Sequence, residues 1–433
     1  MIVEFSVKNF RSIKELQTIS FVATGLKSPA EFSDIDKNNI AEEGDMRLLK
    51  TVGLYGANAS GKSNIVRALE YFIQIIKKEP SSESNLSLLC DPFLYQENSN
   101  DTESYFQIVL IIENKKYRYG FTVKRNSNYN DSLVTDISKK ESKEIITNEW
   151  LFGTKEKNSG EFFIRKNNHV DKDKLPNQNV IPALPYDHTL FLTHAVAHDN
   201  QGVCAIVRNY FYGAGSNYLE GTERFRKNTI FLLQNEEDKK NLLELLSSFN
   251  LIYDDITFEK DTSKPNELTI PPDKIFLYKK FQTKNNIPIQ IKLNLNYHES
   301  AGTKKLFDLA GFLLRVFSVP ISLFIILDEL DSNFHPSLII KLIGLFNNPL
   351  INKNKSQLLF TSHDTNLMSP SIMRRDQFYF TEKNEDDSTK LYSLADLKGI
   401  RNDADFAKQY LAGFYGALPI ITDYINENIS PNE

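Results

Sequence analysis

The chain has 433 residues, 41% of them apolar, only two cysteines and a formal net charge of −5. That apolar share supports two or three packed lobes and excludes a largely disordered chain. The acidic balance, with a pI near 5.9, argues against non-specific attraction to nucleic acid or anionic membrane as the main activity.

Cys90 and Cys204 lie far apart with no CxxC, so neither a disulfide framework nor a zinc hook is expected, and a reducing cytoplasm fits. The charged start, Met-Ile-Val-Glu, does not read as a signal peptide. The longest apolar run, residues 316–327, is broken by Pro320 and too short for a bilayer.

In chain order, residues 1–22 alternate apolar and polar, predicting a strand and then a turn at Asn9-Phe10-Arg11-Ser12. A second strand is expected over 18–22 and a polar loop over 24–46. Residues 52–55 read as a buried strand feeding Gly56-Ala57-Asn58-Ala59-Ser60-Gly61-Lys62-Ser63-Asn64. Ile65, Val66, Leu69 and Phe72 then recur at helical spacing, to about residue 78. Strand, G-x-x-x-x-G-K-S and helix together form a phosphate-binding loop. Its glycines turn backbone N–H groups inward, and the helix N-terminus faces the same anion. Lys62 would reach β- and γ-phosphates, and Ser63 would ligate Mg²⁺. A nucleotide-binding protein is therefore expected.

Residues 79–103 are polar connection. A hairpin is expected over 105–123 and further strands over 132–137 and 149–152, with Trp150 in the core. Residues 153–187 show little pattern. Helical periodicity over 189–212 and 237–249 predicts a small helical subdomain, and 256–259 and 274–292 read as strands. His188, His194 and His198 include an i, i+4 pair that could hold zinc. With no carboxylate or cysteine at a familiar spacing, they read as surface or packing histidines. The basic clusters at residues 224–227 and Lys279-Lys280 read as solvated faces.

Ser300-Ala-Gly302-Thr303 opens a strongly apolar helix. Ser300 or Thr303 can cap it, and Gly302 permits close approach. The unbroken run at 321–327 is a strand buried on both faces, as in a parallel α/β sheet, and it ends in Asp328-Glu329. Asp328 suits Mg²⁺ and Glu329 suits polarising an attacking water. Asp331 and His335-Pro336 follow. A third buried strand over 357–362 ends in His363-Asp364, so His363 is expected on the same sheet edge as Asp328.

In this order the motifs resemble those of ABC-type ATPases of the SMC/RecF/OLD class. More closely, the chain resembles the short AAA-annotated ATPases of bacterial phage-defence and abortive-infection systems, the RloA/AbiL type. The fold implied is a P-loop NTPase ABC-type head with a parallel core sheet, an antiparallel β lobe and a small helical insertion. Its divisions would be an N-terminal ATPase lobe (1–188), the insertion (189–260) and a C-terminal ATPase lobe (261–433). The resemblance implies that Ser300 and Gly302 form the signature that contacts ATP from the opposite subunit. Asp331 would then be the D-loop residue, His363 the γ-phosphate switch, and Arg11 a basic residue approaching the nucleotide. The signature reads Ser-Ala-Gly rather than Ser-Gly-Gly, and Gln96 is the candidate for the Gln-loop. Too few residues follow His363 for the nuclease domain of the OLD proteins. The expectation is a cytoplasmic, Mg²⁺-dependent ATPase forming homodimers or higher homo-oligomers around ATP. It would control an effector encoded nearby, a nuclease by analogy. A RecF/SMC-like ATPase acting directly on DNA is the alternative, and a non-hydrolysing nucleotide sensor is a further one.

Overall fold

The strand that ends in the glycine loop, Thr51–Gly56, is buried at every position and lies inside a six-stranded sheet. In the computed structural model, which describes residues 1–97, 99–126, 143–155, 158–213, 215–216, 223–259 and 274–419, that sheet has a fixed strand order. It runs Gly215–Ser216, Phe324–Leu327, Gln357–Thr361, Thr51–Gly56, Phe378–Lys383 and Thr389–Ser393. The first five strands are parallel, and Thr389–Ser393 closes one edge antiparallel. Alternate residues face two different cores, as the two-residue period of a strand requires. Val52, Leu54, Phe324, Ile326 and Leu359 point into one. Tyr55, Ile325, Leu327, Leu358 and Phe360 point into the other, which also takes helices Ala301–Ser318 and Pro336–Asn347.

The first core is shared with a seven-stranded antiparallel sheet. Its order is His169–Asp171, Asn158–Lys166, Glu144–Lys155, Lys115–Arg125, Ser104–Ile112, Ile2–Lys8 and Gln17–Ser20. Helix Lys62–Lys77 shares that core with both sheets. Its Phe72 ring stacks on Phe121 at 5.2 Å with an interplanar angle of 11°. The buried Gln357 side chain ties the sheets together: its Oε1 accepts from Ile2 N at 2.7 Å, and its Nε2 donates to the Ile2 and Leu49 carbonyls at 3.0 and 3.1 Å. A third apolar cluster joins helices Glu223–Leu232, Glu236–Ser248 and Ala301–Ser318 to a three-stranded sheet of Asp255–Phe258, Ile275–Gln282 and Pro288–Asn294.

Several sequence expectations change. Residues 24–46 are not a plain loop: Ile40–Glu43 and Met46–Leu49 pair as a hairpin. Residues 153–187 contain the strands Asn158–Lys166 and His169–Asp171. Their alternation is masked in the sequence because Glu161, Arg165 and Lys166 interrupt the apolar positions. Trp150 is only half-buried, stacked on Tyr105 with its indole N–H on Gln107, whereas the charged Glu149 and Arg165 beside it are fully buried along with Leu151 and Phe163. The four helices of residues 189–260 do not share one core. Phe191–His198 and Val203–Gly213 pack with the phosphate-loop helix, whereas the later two pack against Ala301–Ser318. The expected strand at 132–137 lies outside the described residues.

Candidate functional site

Strand order brings the site together. The strand before His363 lies between the strand before Gly56 and the strand before Asp328, so three chain segments emerge side by side at one sheet edge, where ligands bind in parallel sheets.

The glycine loop follows from local sterics. Gly56 has φ +146° and Gly61 φ +106°, a conformation that side-chain-bearing residues rarely adopt. A Cβ at Gly61 would run into Thr389, and one at Gly56 into Thr381. Ala59 is also left-handed. Ser60 Oγ hydrogen-bonds Thr381 Oγ1 at 2.6 Å, and Thr389 Oγ1 donates to the Ser60 carbonyl at 3.1 Å. Lys62 sits at the start of the helix, 7% exposed. Its Nζ donates to the Gly56 and Ala57 carbonyls at 2.8 and 2.9 Å, so the cation stands inside the loop. Burial pulls its pKa down to about 8, against the opposing pull of Asp328, Asp331 and Glu329.

The carboxylates are placed by Thr361, a residue the sequence reading missed. Its hydroxyl donates to Asp328 Oδ1 at 2.5 Å and accepts from Glu329 N at 2.7 Å. The Thr361 carbonyl takes Leu330 N at 3.0 Å. These bonds turn the chain through Glu329, whose φ is +49°. Asp328 is buried and Glu329 exposed. Asp331 Oδ2 accepts from His363 N at 3.0 Å, while Asp331 Oδ1 is buried without a hydrogen-bond partner. His363 is pushed below its usual pKa first by desolvation and then by Lys62, with Asp331, Glu329 and Asp328 pulling the other way. Lys62, Asp328, Glu329, Asp331 and His363 therefore form one electrostatic cluster.

Ser300 caps helix Ala301–Ser318, its Oγ accepting from Thr303 N at 3.2 Å. It is exposed. Gly302 abuts the segment after Glu329: a Cβ there would stand 2.6 Å from the Asn333 carbonyl oxygen. Lys305, also unnoticed in the sequence, donates to the Ser332 carbonyl at 2.6 Å. The Asn9–Ser12 turn docks on the loop through Ser12 Oγ, which accepts from Asn64 Nδ2 at 2.7 Å and lies 2.7 Å from Thr389 Oγ1. Arg11 itself pairs with Asp91 at 2.9 Å, beside Phe10 and Tyr71. Gln96 Nε2 donates to Asn9 Oδ1 at 2.9 Å, bracing the same turn.

Elsewhere, His188 bonds the Ser81 carbonyl and His194 the Pro182 carbonyl, while His194 and His198 meet edge to face. Among the described residues no cluster of three or more His, Cys, Asp or Glu could hold a metal, and no helix is long and apolar enough to cross a membrane.

The family model described as "AAA domain, putative AbiEii toxin, Type IV TA system" matches residues 52–369, well over half the chain. The match starts in the strand before the glycine loop and ends just beyond His363-Asp364. No curated protein matches the chain.

Proposed function

The chain belongs to this AAA-domain family of the abortive-infection, type IV toxin–antitoxin kind, and from that premise we propose an ABC-class ATPase that hydrolyses ATP between two copies of itself. In this reading the nucleotide cycle controls an effector encoded nearby, a nuclease by analogy with the RloA/AbiL type. The observation that carries the proposal is the convergence of Lys62, Asp328, Glu329, Asp331 and His363 on one sheet edge.

The residues fit nucleotide and metal. The loop has the two left-handed glycines a phosphate cradle needs, and Asp331 presents a buried oxygen with no partner. Lys62 would exchange its carbonyl contacts for β- and γ-phosphate oxygens. Ser63 and Asp328 would hold Mg²⁺, which supplies charge neutralisation when bound. Glu329 would take the proton of the attacking water, and His363 would sense the γ-phosphate.

Exposure supports a site completed by a second copy. Glu329, His363 and Ser300 are all exposed, whereas the charge on a transferring phosphoryl group is best stabilised where bulk solvent is excluded and one ordered water attacks. Ser300 and Gly302 of a partner copy would cover the γ-phosphate.

The test is Glu329→Gln. An amide cannot accept the proton, so this variant should bind ATP, turn it over slowly and accumulate ATP-dependent dimers in gel filtration. Unchanged turnover would remove Glu329 as the base. One observation favours the DNA-acting alternative: the exposed hairpin of Ile275–Gln282 and Pro288–Asn294 carries Lys279, Lys280, Lys284 and Lys292 and no acidic residue. Salt-sensitive duplex binding that is lost on reversing those charges would favour that reading.

A further inference from the structure

Lys305 lies one turn into helix Ala301–Ser318, yet it is only 7% exposed. Lysines are rarely buried to this degree without a partner. Its ammonium donates to the Ser332 carbonyl at 2.6 Å and stands 4.8 Å over the Phe334 ring. Desolvation lowers its pKa, while the Asp331 and Glu329 carboxylates favour the charged form. One turn earlier on the same helix, Gly302 meets the Asn333 carbonyl so closely that no side chain fits.

The segment they touch cannot hold its own shape. Glu329 has a φ of +49°, a conformation that a glutamate holds only when the surroundings enforce it, and Asn333 at +65° adopts the left-handed turn that asparagine accepts. Its internal bonds are two turns, Ser332 N to the Glu329 carbonyl at 3.0 Å and Phe334 N to the Asp331 carbonyl at 3.3 Å, and one side-chain bond, Asn333 Nδ2 to Ser332 Oγ at 3.1 Å. On the far side, Asp331 accepts from His363 N. The segment thus bridges the helix capped by Ser300 and the residues that follow strand Gln357–Thr361.

We infer that Lys305 is a positioning residue of the nucleotide site: its ammonium fixes residues 331–334, and through Asp331 the His363 main chain, against the helix that begins at Ser300. The inference rests on the proposed ATPase reading for its effect on turnover, but not for its effect on the segment. A lysine that merely lays its aliphatic stem along apolar surface would lose nothing on replacement by methionine.

The experiment uses the full chain with Lys305→Met, which keeps the stem, and Lys305→Arg, which keeps the charge. In nucleotide-free protein, Lys305→Met should raise amide exchange over 329–335 and at His363 by about tenfold, the loss of one charge-assisted bond. Exchange in the rest of helix Ala301–Ser318 should not change, and Lys305→Arg should resemble wild type. In steady state Lys305→Met should lower kcat on the order of tenfold, with KM for ATP within about twofold. Unchanged exchange over 329–335 and at His363 would overturn the inference whatever the activity. So would exchange raised along the whole helix, which marks a folding role. Wild-type protein whose ATP turnover does not depend on Lys62 would sink the ATPase reading instead, and the exchange result would still decide the role of Lys305.

Discussion

Replacing Thr361 by valine isolates the contact that aims both carboxylates. Thr361 is 1% exposed, and valine has nearly its shape, so no cavity opens and the effect is that of the hydroxyl. Two bonds disappear: the donation to Asp328 at 2.5 Å and the acceptance from Glu329 N at 2.7 Å. A bond to a charged group contributes about 1.5–3 kcal/mol, and a neutral one about 0.5–1.5 kcal/mol. Because Glu329 is exposed, water recovers part of the second loss, and the net destabilisation should be about 2–3 kcal/mol. The kinetic effect should be larger than stability alone suggests. A displacement of about 1 Å at a reacting group costs on the order of a hundredfold, so kcat for Mg-ATP should fall by roughly that factor. Thr361→Ser retains the hydroxyl and should keep kcat within about threefold. Denaturant unfolding and steady-state ATPase measured on both variants give the comparison. A valine variant with near wild-type kcat would refute the argument that Thr361 places the carboxylates.

The remaining predictions concern pH and the buried charges. Burial holds Lys62 at about 8, below the 10.5 of an exposed lysine. Between those values the unfolded chain binds more protons than the folded one, so stability of the nucleotide-free protein should rise with pH across that window. Phosphates favour the ammonium, so ATP affinity should instead fall above pH 8, by at most about tenfold per pH unit; a Kd that stays flat from about pH 7 to 10 would contradict this. Far from the loop, Glu149 and Arg165 are both 0% exposed and paired at 3.5 Å. Glu149 also accepts from Phe191 N, Leu192 N and the Tyr119 hydroxyl, starting helix Phe191–His198. Glu149→Leu should cost about 3–5 kcal/mol in denaturant unfolding, because it leaves the buried arginine without a counter-charge and the two N–H groups and the Tyr119 hydroxyl without their acceptor; a change below about 1 kcal/mol would show the cluster to be dispensable.

Much of the site was legible because its chemistry is written in contiguous residues. G-x-x-x-x-G-K-S needs its glycines and lysine in fixed succession, and the strands before Asp328 and His363 carry the apolar stretches 324–327 and 358–360 because both of their faces are buried. Thr361 and Lys305 were not legible. Each acts through a partner far away in the chain, and in sequence one is a strand residue and the other a helix lysine like many others. The antiparallel lobe was half legible. Its hairpin at 104–125 shows as alternation around Glu113-Asn114, both left-handed in the two-residue turn. The strands at 144–166 were obscured because Glu149 and Arg165, buried together in the sheet and held largely by main-chain groups, break the apolar pattern. The helices at 191–213 and 236–248 were visible by period, whereas Glu223–Leu232 was hidden behind its basic cluster, and period does not say which core a helix joins.

In the proposed mechanism ATP is hydrolysed at a site assembled from two copies, Lys62 from one and Ser300 from the other. Lys62→Ala and Ser300→Arg should each be inactive alone, since every composite site then carries one lesion. In a mixture, each mixed dimer has one site with both lesions and one with none, and free subunit exchange leaves roughly a quarter of all sites intact. ATPase activity of the equal mixture, measured with exchange verified by tagged pull-down, should therefore recover to about a quarter of wild type. A mixture that stays inactive despite verified exchange, or a Ser300→Arg protein active on its own, would contradict the shared site.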